Sequence, residues 1–348
     1  GGDGSSARPF ANIAAAFEAG VSAGDQVLLA SGDYGAVRID GLRADPPVRL
    51  VAATAPDAPA RLASLRVVNS SGLEVEGLLI EGGSGGPHAA LITVEANSRN
   101  VFLRRLTIRS GPGHEAWDAA TWRDRARTGV MIEGARVELR DSRISGVRHG
   151  VIVRGPDAQV VGNLIDGFSG DGMRGFGDGG LFEGNGVQNC IKVDKNHDDG
   201  FQSWSRGPDG KSGGGVVSGV TVRGNVLRPY SDKPGALTCQ LMGISLFDGM
   251  YVDWLIEGNV VEVDSRNGIV VLGGRNVRVV DNLVRQRTPG AALTPQVTIS
   301  AHKDGRLGNG NLIAGNQAVL INTGQRRKMM VNPRATVVRD NLRLAPTR

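Results

Sequence analysis

Residues 220–227 read VTVRGNVL, residues 254–261 WLIEGNVV and residues 277–284 VRVVDNLV. All three are one pattern: apolar, any, aliphatic, any, Gly or Asp, Asn, any, aliphatic. A fourth good copy, AQVVGNLI, ends at Ile165. Apolar alternation with period two marks a strand with one face inward. The Gly-Asn or Asp-Asn step then turns the chain. Weaker copies end at Ile80, Ile108, Ile144, Val187, Ala318 and Arg343. The closest copies set a period of about 22 residues, and wider spacings are the same unit with residues inserted. Asn163, Asn185, Asn225, Asn259, Asn282, Asn316 and Asn341 share one register position. An asparagine that tolerates left-handed geometry, placed once per coil, can stack into a ladder.

A second strand pattern lies between these copies: GVMIE from Gly129, GVIVR from Gly150, GISLF from Gly243 and GIVVL from Gly268, with GMRGF from Gly172 and GFQSW from Gly200 as variants. Short strands at this spacing cannot form one flat packed sheet. They wind into coils, and stacked coils make a parallel β-helix.

Over roughly residues 25–343 the repeats resemble the right-handed parallel β-helix of the pectate-lyase-like superfamily. The resemblance implies an all-β, single-stranded right-handed parallel β-helix, a solenoid of about 10–12 coils. RPFANIAAAFEAG from Arg8, followed by GDQVLLASGDYG, resembles the family's capping helix and first strand. The expected organisation is a single domain over 1–348, with an N-terminal cap over 8–24, coils over 25–343 and a closing segment over 324–348 that carries the basic run GQRRKMM. Such a fold is unspecific for function, because the superfamily holds lyases, hydrolases, epimerases and non-catalytic spikes.

Composition agrees with a chain that turns often. Of 348 residues 52 are glycine, about twice the average usage. The 40% apolar fraction argues against disorder. The glycines keep no three-residue period, which excludes collagen. No apolar stretch is long enough to predict a membrane span. The charge balance is 40 basic against 35 acidic, net +5, and all but six of the basic residues are arginine. Arginine forks suit carboxylates, so an acidic polymer is the expected partner. Nucleic acid is not expected, since no lysine tract, zinc-finger spacing or recognition helix is present. Cys190 and Cys239 could pair, but their spacing does not require it, and isolated cysteines are more often small buried hydrophobes.

Stacked coils lie about 4.8 Å apart, so one register position forms a column. The residue before the strand glycine is Thr128, His149, Asp171, Asp199, Met242 and Asn267 in successive copies. The residue before that is Arg127, Arg148, Gly170, Asp198, Leu241 and Arg266. Three coils thus place His149, Asp171 and Asp199 side by side. The run IKVDKNHDDGFQSWS over 191–205 adds Lys195, His197 and Asp198. Turns usually need one or two such groups for their own backbone, whereas this cluster faces arginines from neighbouring coils. It is the candidate acid–base site. Outward positions on the same strands carry Arg154, Arg174, Gln202, Phe176, Trp204 and Phe247, with Trp204 and Phe247 in one register. An exposed aromatic row suits the apolar faces of sugar rings. Insertions after Arg109, Trp204 and Leu227 are expected to wall a single groove. His114, Glu115 and His302 are expected at the surface.

A uronic-acid polysaccharide fits best. β-Elimination needs the uronate carboxylate neutralised, a base for the C5 proton and an acid for the leaving oxygen. Lyases of this fold use lysine, arginine or histidine as base, so the resemblance points to Lys195 or His197, with His149 as the second proton-transfer group. Arg148 and Arg174 would clamp the carboxylate. Asp171, Asp198 and Asp199 would hold Ca²⁺ or orient the bases. C5 epimerases use similar groups, but the Asp-Pro-His motif of the superfamily's epimerases is missing. A hydrolase resembling polygalacturonases would use paired aspartates. SGDG at 169–172 and HDDG at 197–200 are similar to that motif set, but Met242 stands where its histidine would fall and no Arg-Ile-Lys follows. A non-catalytic carbohydrate-binding or tailspike-like β-helix is the remaining class. A polysaccharide substrate leads us to expect a secreted, periplasmic or cell-surface protein, with an export signal that preceded Gly1.

Overall fold

The computed structural model describes residues 2–53, 59–82, 89–322 and 336–346. The basic run at 324–330 lies outside them. Three long parallel sheets, of twelve, twelve and eleven strands, run the length of the molecule. Each of the first eleven coils contributes one strand to each sheet and the twelfth contributes to two, so the expected all-β solenoid is the fold found.

The three faces are best defined in the middle coils. The first face stacks Gln159–Val161, Leu181–Glu183 and Thr221–Arg223. The second stacks Arg143–Val147, Leu164–Phe168 and Gly186–Cys190. The third stacks Val151–Val153, Met173–Gly175, Asp199–Trp204 and Met242–Asp248. Inward positions carry the predicted aliphatics, and Val160, Ile165, Val187, Val222, Ile256 and Val284 are fully buried. Helix α1 (Ile13–Glu18) begins at Asn12, whose side chain accepts the Ala15 N–H at 2.8 Å. It lays Ile13 against the core.

The asparagine column is continuous. Each Asn Oδ1 accepts both the backbone N–H and the side-chain Nδ2–H of the asparagine one coil earlier, at 2.9–3.0 Å, from Asn163 to Asn341. Ser142 opens the column by donating its N–H to Asn163. One detail departs from expectation. The left-handed residue is the one before each asparagine: Gly162, Gly184, Gly224, Gly258, Asp281, Gly315 and Asp340 all have positive φ. The asparagine itself faces inward, and that is why Gly or Asp precedes it.

Cys190 and Cys239 form a disulfide, so the expectation of two unpaired buried thiols is corrected. The bond closes a separation of 49 residues, which in the chain-entropy picture stabilises the fold by roughly 4 kcal/mol. Its local effect is to tie the insertion after Leu227 to the second face.

Candidate functional site

The corner between the second and third faces carries the predicted column. The Gly150 N–H donates to the Asp171 carbonyl, and the Gly172 N–H to the Asp199 carbonyl, so His149, Asp171 and Asp199 do sit on consecutive coils. His149 Nδ1 accepts the Asp171 N–H at 3.0 Å. That bond leaves the ring proton on Nε2, the tautomer that can donate outward.

The carboxylates face protein, not solvent. Asp171 and Asp199 are fully enclosed. Asp171 Oδ2 accepts from Arg174 Nε, and its Oδ1 accepts the Asp199 N–H at 3.0 Å. Asp199 Oδ2 accepts from Gln202 Nε2 at 2.8 Å. Burial raises the Asp171 carboxyl above the usual range, with Arg174 pulling the other way. Burial, then the neighbouring Asp171 charge, raises Asp199 well above it. Ser245 lies near enough to favour ionised Asp199, but it falls short of hydrogen-bond geometry. Ser245 Oγ and Asp199 Oδ1 are both left without a partner. Sequence reasoning missed Ser245. The signal was available, since its Cα partner in the outward column is Gln202.

Asp198 is held separately. Its Oδ2 accepts from Lys192 Nζ at 2.9 Å, and Lys192 also binds the Asn196 carbonyl. Burial pushes the Asp198 carboxyl up to about 6 despite that lysine. The folded state therefore holds a proton that the unfolded chain releases near 3.8. This contribution is full below pH 4 and is lost as pH rises through 6. A shift of this size corresponds to about 2–3 kcal/mol. Asp198→Asn is therefore expected to gain stability relative to wild type as pH rises from 4 to 8. Chemical denaturation at the two pH values checks this, and a constant difference between the proteins would refute it.

The three aspartates do not fit a calcium ion. Four of their six oxygens are engaged, by Arg174, Lys192, Gln202 and the Asp199 N–H, while Asp198 Oδ1 and Asp199 Oδ1 have no partner and do not converge with a third ligand. Among the described residues, the convergent set of metal-type ligands is Cys190, Asp198 and Cys239, and the two sulfurs are bonded to each other. Asp171, Asp198 and Asp199 are not a convergent set of that kind.

The cations and donors are the groups that reach solvent. Lys195 and His197 are exposed, and His197 is close enough to favour ionised Asp171. The side chains of Arg148, Arg174 and His149 are 29%, 19% and 12% exposed. Arg148 Nη2 lies 3.7 Å from Asp194. Helix α2 (Ala119–Arg125) braces the 191–198 loop, Arg123 donating to the Val193 carbonyl at 3.0 Å.

The aromatic row is shorter than expected. Phe176 and Trp204 pack with ring centroids 4.8 Å apart, with Arg206 over Trp204 at 5.3 Å. The pairing slips by one residue at Ser203/Trp204, so Trp204 lies beside Asp248, not Phe247. Phe247 instead lies under Lys303, 5.7 Å away. Phe176 and Trp204 line a cleft of about 590 Å³ with Arg154, Arg206, Val216 and Val217. Arg154 also pairs with Glu133 at 3.0 Å. Trp204 is five residues along the strand from Asp199, roughly 16 Å.

The insertions do not wall one groove. Those after Arg109 and Leu227 meet over the second face and line a cleft of about 690 Å³, while Ser205 and Arg206, which begin the insertion after Trp204, line the aromatic cleft. His114 and His302 are buried, not at the surface. His114 packs against Trp117 and Trp122, and His302 Nδ1 lies 2.7 Å from Asp304. Glu115 is exposed as expected.

A family model described as the right handed beta helix region matches residues 128–318, more than half of the chain. The chain belongs to this right-handed β-helix family. The β-helix superposes on the Dettilon tailspike protein with a TM-score of 0.61 at 14% identity, covering 88% of this chain and 57% of that one. It superposes on the GH136 lacto-N-biosidase of Eubacterium ramulus with a TM-score of 0.54 at 14% identity, covering 98% and 65%. The PL6 family polysaccharide lyase of Pseudopedobacter saltans gives 0.45 at 14%, covering 96% and 92%. The chain thus spans less than two thirds of the length of the first two. At these identities the likeness is one of fold, the right-handed parallel β-helix expected from the repeats. No curated protein matches the chain by sequence.

Proposed function

We propose that this β-helix is a carbohydrate-active enzyme that cleaves an acidic, uronate-containing polysaccharide by β-elimination at the corner carrying His149, Arg148 and Arg174. One observation carries the reading: at this corner the cations and proton donors reach solvent while the aspartates are enclosed behind them. A polygalacturonase-like hydrolysis needs two carboxyl groups in contact with the sugar. Asp171 and Asp199 are instead enclosed, bonded to Arg174, Gln202 and the Asp199 N–H. They hold a cationic surface in place, and a cationic surface suits a uronate.

In this reading Arg148 and Arg174 neutralise the uronate carboxylate and stabilise the charge that develops when C5 loses its proton. Lys195 or His197 takes that proton. His149, with Nδ1 fixed by the Asp171 N–H, gives its Nε2 proton to the leaving oxygen. The polymer continues along the third face toward Phe176 and Trp204, whose rings take a sugar further along.

Absorbance near 235 nm on alginate, polygalacturonate, glucuronan and glycosaminoglycans tests the reading. A rise that survives EDTA is expected, and His149→Ala should lower kcat/KM by about 10²–10⁴. New reducing ends without absorbance would replace elimination by hydrolysis. Neither signal on any of these substrates would remove the enzyme reading.

A further inference from the structure

The 690 Å³ cleft on the second face lies outside the corner site. Its size is that of small-ligand pockets, and it is a built feature. One wall is the insertion after Arg109, which folds back onto the coils through buried His114. A Cβ on Gly146 would lie 2.8 Å from His114 Cβ, and one on Gly167 would lie 3.1 Å from His114 Cδ2. Glycine on two successive coils thus clears the floor for this wall. Trp122 is buried behind His114, while Trp117, 5.3 Å from Trp122, is half-exposed toward the cleft.

The opposite wall is the insertion after Leu227. The Cys190–Cys239 disulfide and the Ile191/Thr238 bridge hold its base. Tyr230 is fixed there by Thr288 Oγ1 at 2.7 Å and by Arg287 over its ring. Between the walls lies Asp166, bound to Arg143 and, at 2.6 Å, to Asn189 Nδ2.

We propose that this cleft is a second carbohydrate-binding site, taking a neutral pyranose unit against the face of Trp117. Three features select that ligand. A half-exposed indole held between rigid walls offers an apolar platform at little entropic cost. Asp166 and Arg143 hold each other in place and keep further lone pairs and N–H groups for sugar hydroxyls, while Asn189, tied to Asp166 and Ser231, fixes their position. The charges on the lining are Glu115, Asp118 and Asp166 against Arg143 and Lys233, with Arg143 already engaged by Asp166. No cation excess is available for a uronate, in contrast to the corner. The proposal does not depend on the lyase reading.

The test is a titration of the whole protein with hexamers of glucose, mannose, galactose and N-acetylglucosamine, and with trigalacturonate as the acidic comparison. Tryptophan fluorescence and saturation-transfer NMR report binding, and thermal melting confirms that each variant is folded. At least one neutral hexamer should bind, with Trp117→Ala weakening it about tenfold or more and Asp166→Asn weakening it in the same direction. Trigalacturonate affinity should be unchanged in Trp117→Ala. The proposal is overturned if no neutral hexamer binds up to about 10 mM, if both variants bind it as tightly as the wild type does, or if Trp117→Ala removes only trigalacturonate binding.

Discussion

Arg174→Ala should cost the protein about 3–5 kcal/mol of stability at neutral pH, and turnover of its uronan should fall by about 10²–10³. Asp171 is fully enclosed, and Arg174 is the cation bonded to it. Removing the guanidinium leaves a buried carboxylate with one backbone N–H bonded to it, that of Asp199. The stability loss should shrink at low pH. Burial already raises the Asp171 carboxyl, and without Arg174 it rises further. The variant therefore carries a neutral, harmless acid at low pH and loses ground as pH rises through that raised value. The double variant Arg174→Met with Asp171→Asn removes both charges. It should recover most of the stability and none of the activity. Denaturant melts and turnover on the same samples separate the two roles. If Arg174→Ala melts within about 1 kcal/mol of wild type, the buried pair is not what holds this corner.

Asn225→Ala is expected to be nearly as costly, with no change at the corner site. Asn225 is fully buried in mid-column. Its Oδ1 accepts the Asn185 N–H and Nδ2–H, each at 2.9 Å, while its Nδ2 donates to the Phe182 carbonyl and to Asn259 Oδ1, also at 2.9 Å. Truncation leaves the Asn185 N–H buried without its partner and removes the side-chain bonds to the Phe182 carbonyl, Asn185 Nδ2 and Asn259 Oδ1. At about 1–3 kcal/mol for the stranded N–H and about 1 kcal/mol for each further bond the loss is about 3–5 kcal/mol. For a chain of this size that is a fall in Tm of roughly 5 °C. A loss below about 1 kcal/mol would mean that water replaces the amide, and the column would then be ornamental.

The repeats made the fold legible because a solenoid reuses one physical solution every coil. The pattern around Asn163, Asn225, Asn259 and Asn282 carries inward aliphatics, a left-handed turn and a ladder amide together. Register then placed His149, Asp171 and Asp199 on adjacent coils without further information. What stayed hidden depends on side chains reaching across coils. The reach of Arg174 back to Asp171 turned a supposed acid–base pair into a buried support. A one-residue slip at Ser203/Trp204 moved Phe247 out of the aromatic row. The disulfide joins residues whose closeness arises only when the insertion after Leu227 folds back on the second face. Gly146 and Gly167 are where His114 lies on the coils, and the glycine count alone does not single them out. Insertion length marked where function could sit, but not which face each loop would cross.

The asparagine column also has a direction. Between asparagines the bonds all run one way, each amide from Asn163 to Asn316 donating to the asparagine one coil C-terminal, while its second N–H turns back to a carbonyl on the N-terminal side. Aligned amides polarise one another, so each link strengthens its neighbours. Every rung is equivalent, and the column closes equally well over any whole number of them. A coil of about 22 residues can be gained or lost without stranding an amide, whereas a fraction of a coil cannot. The length of such a molecule is free to change over evolutionary time, but only in steps of one complete turn.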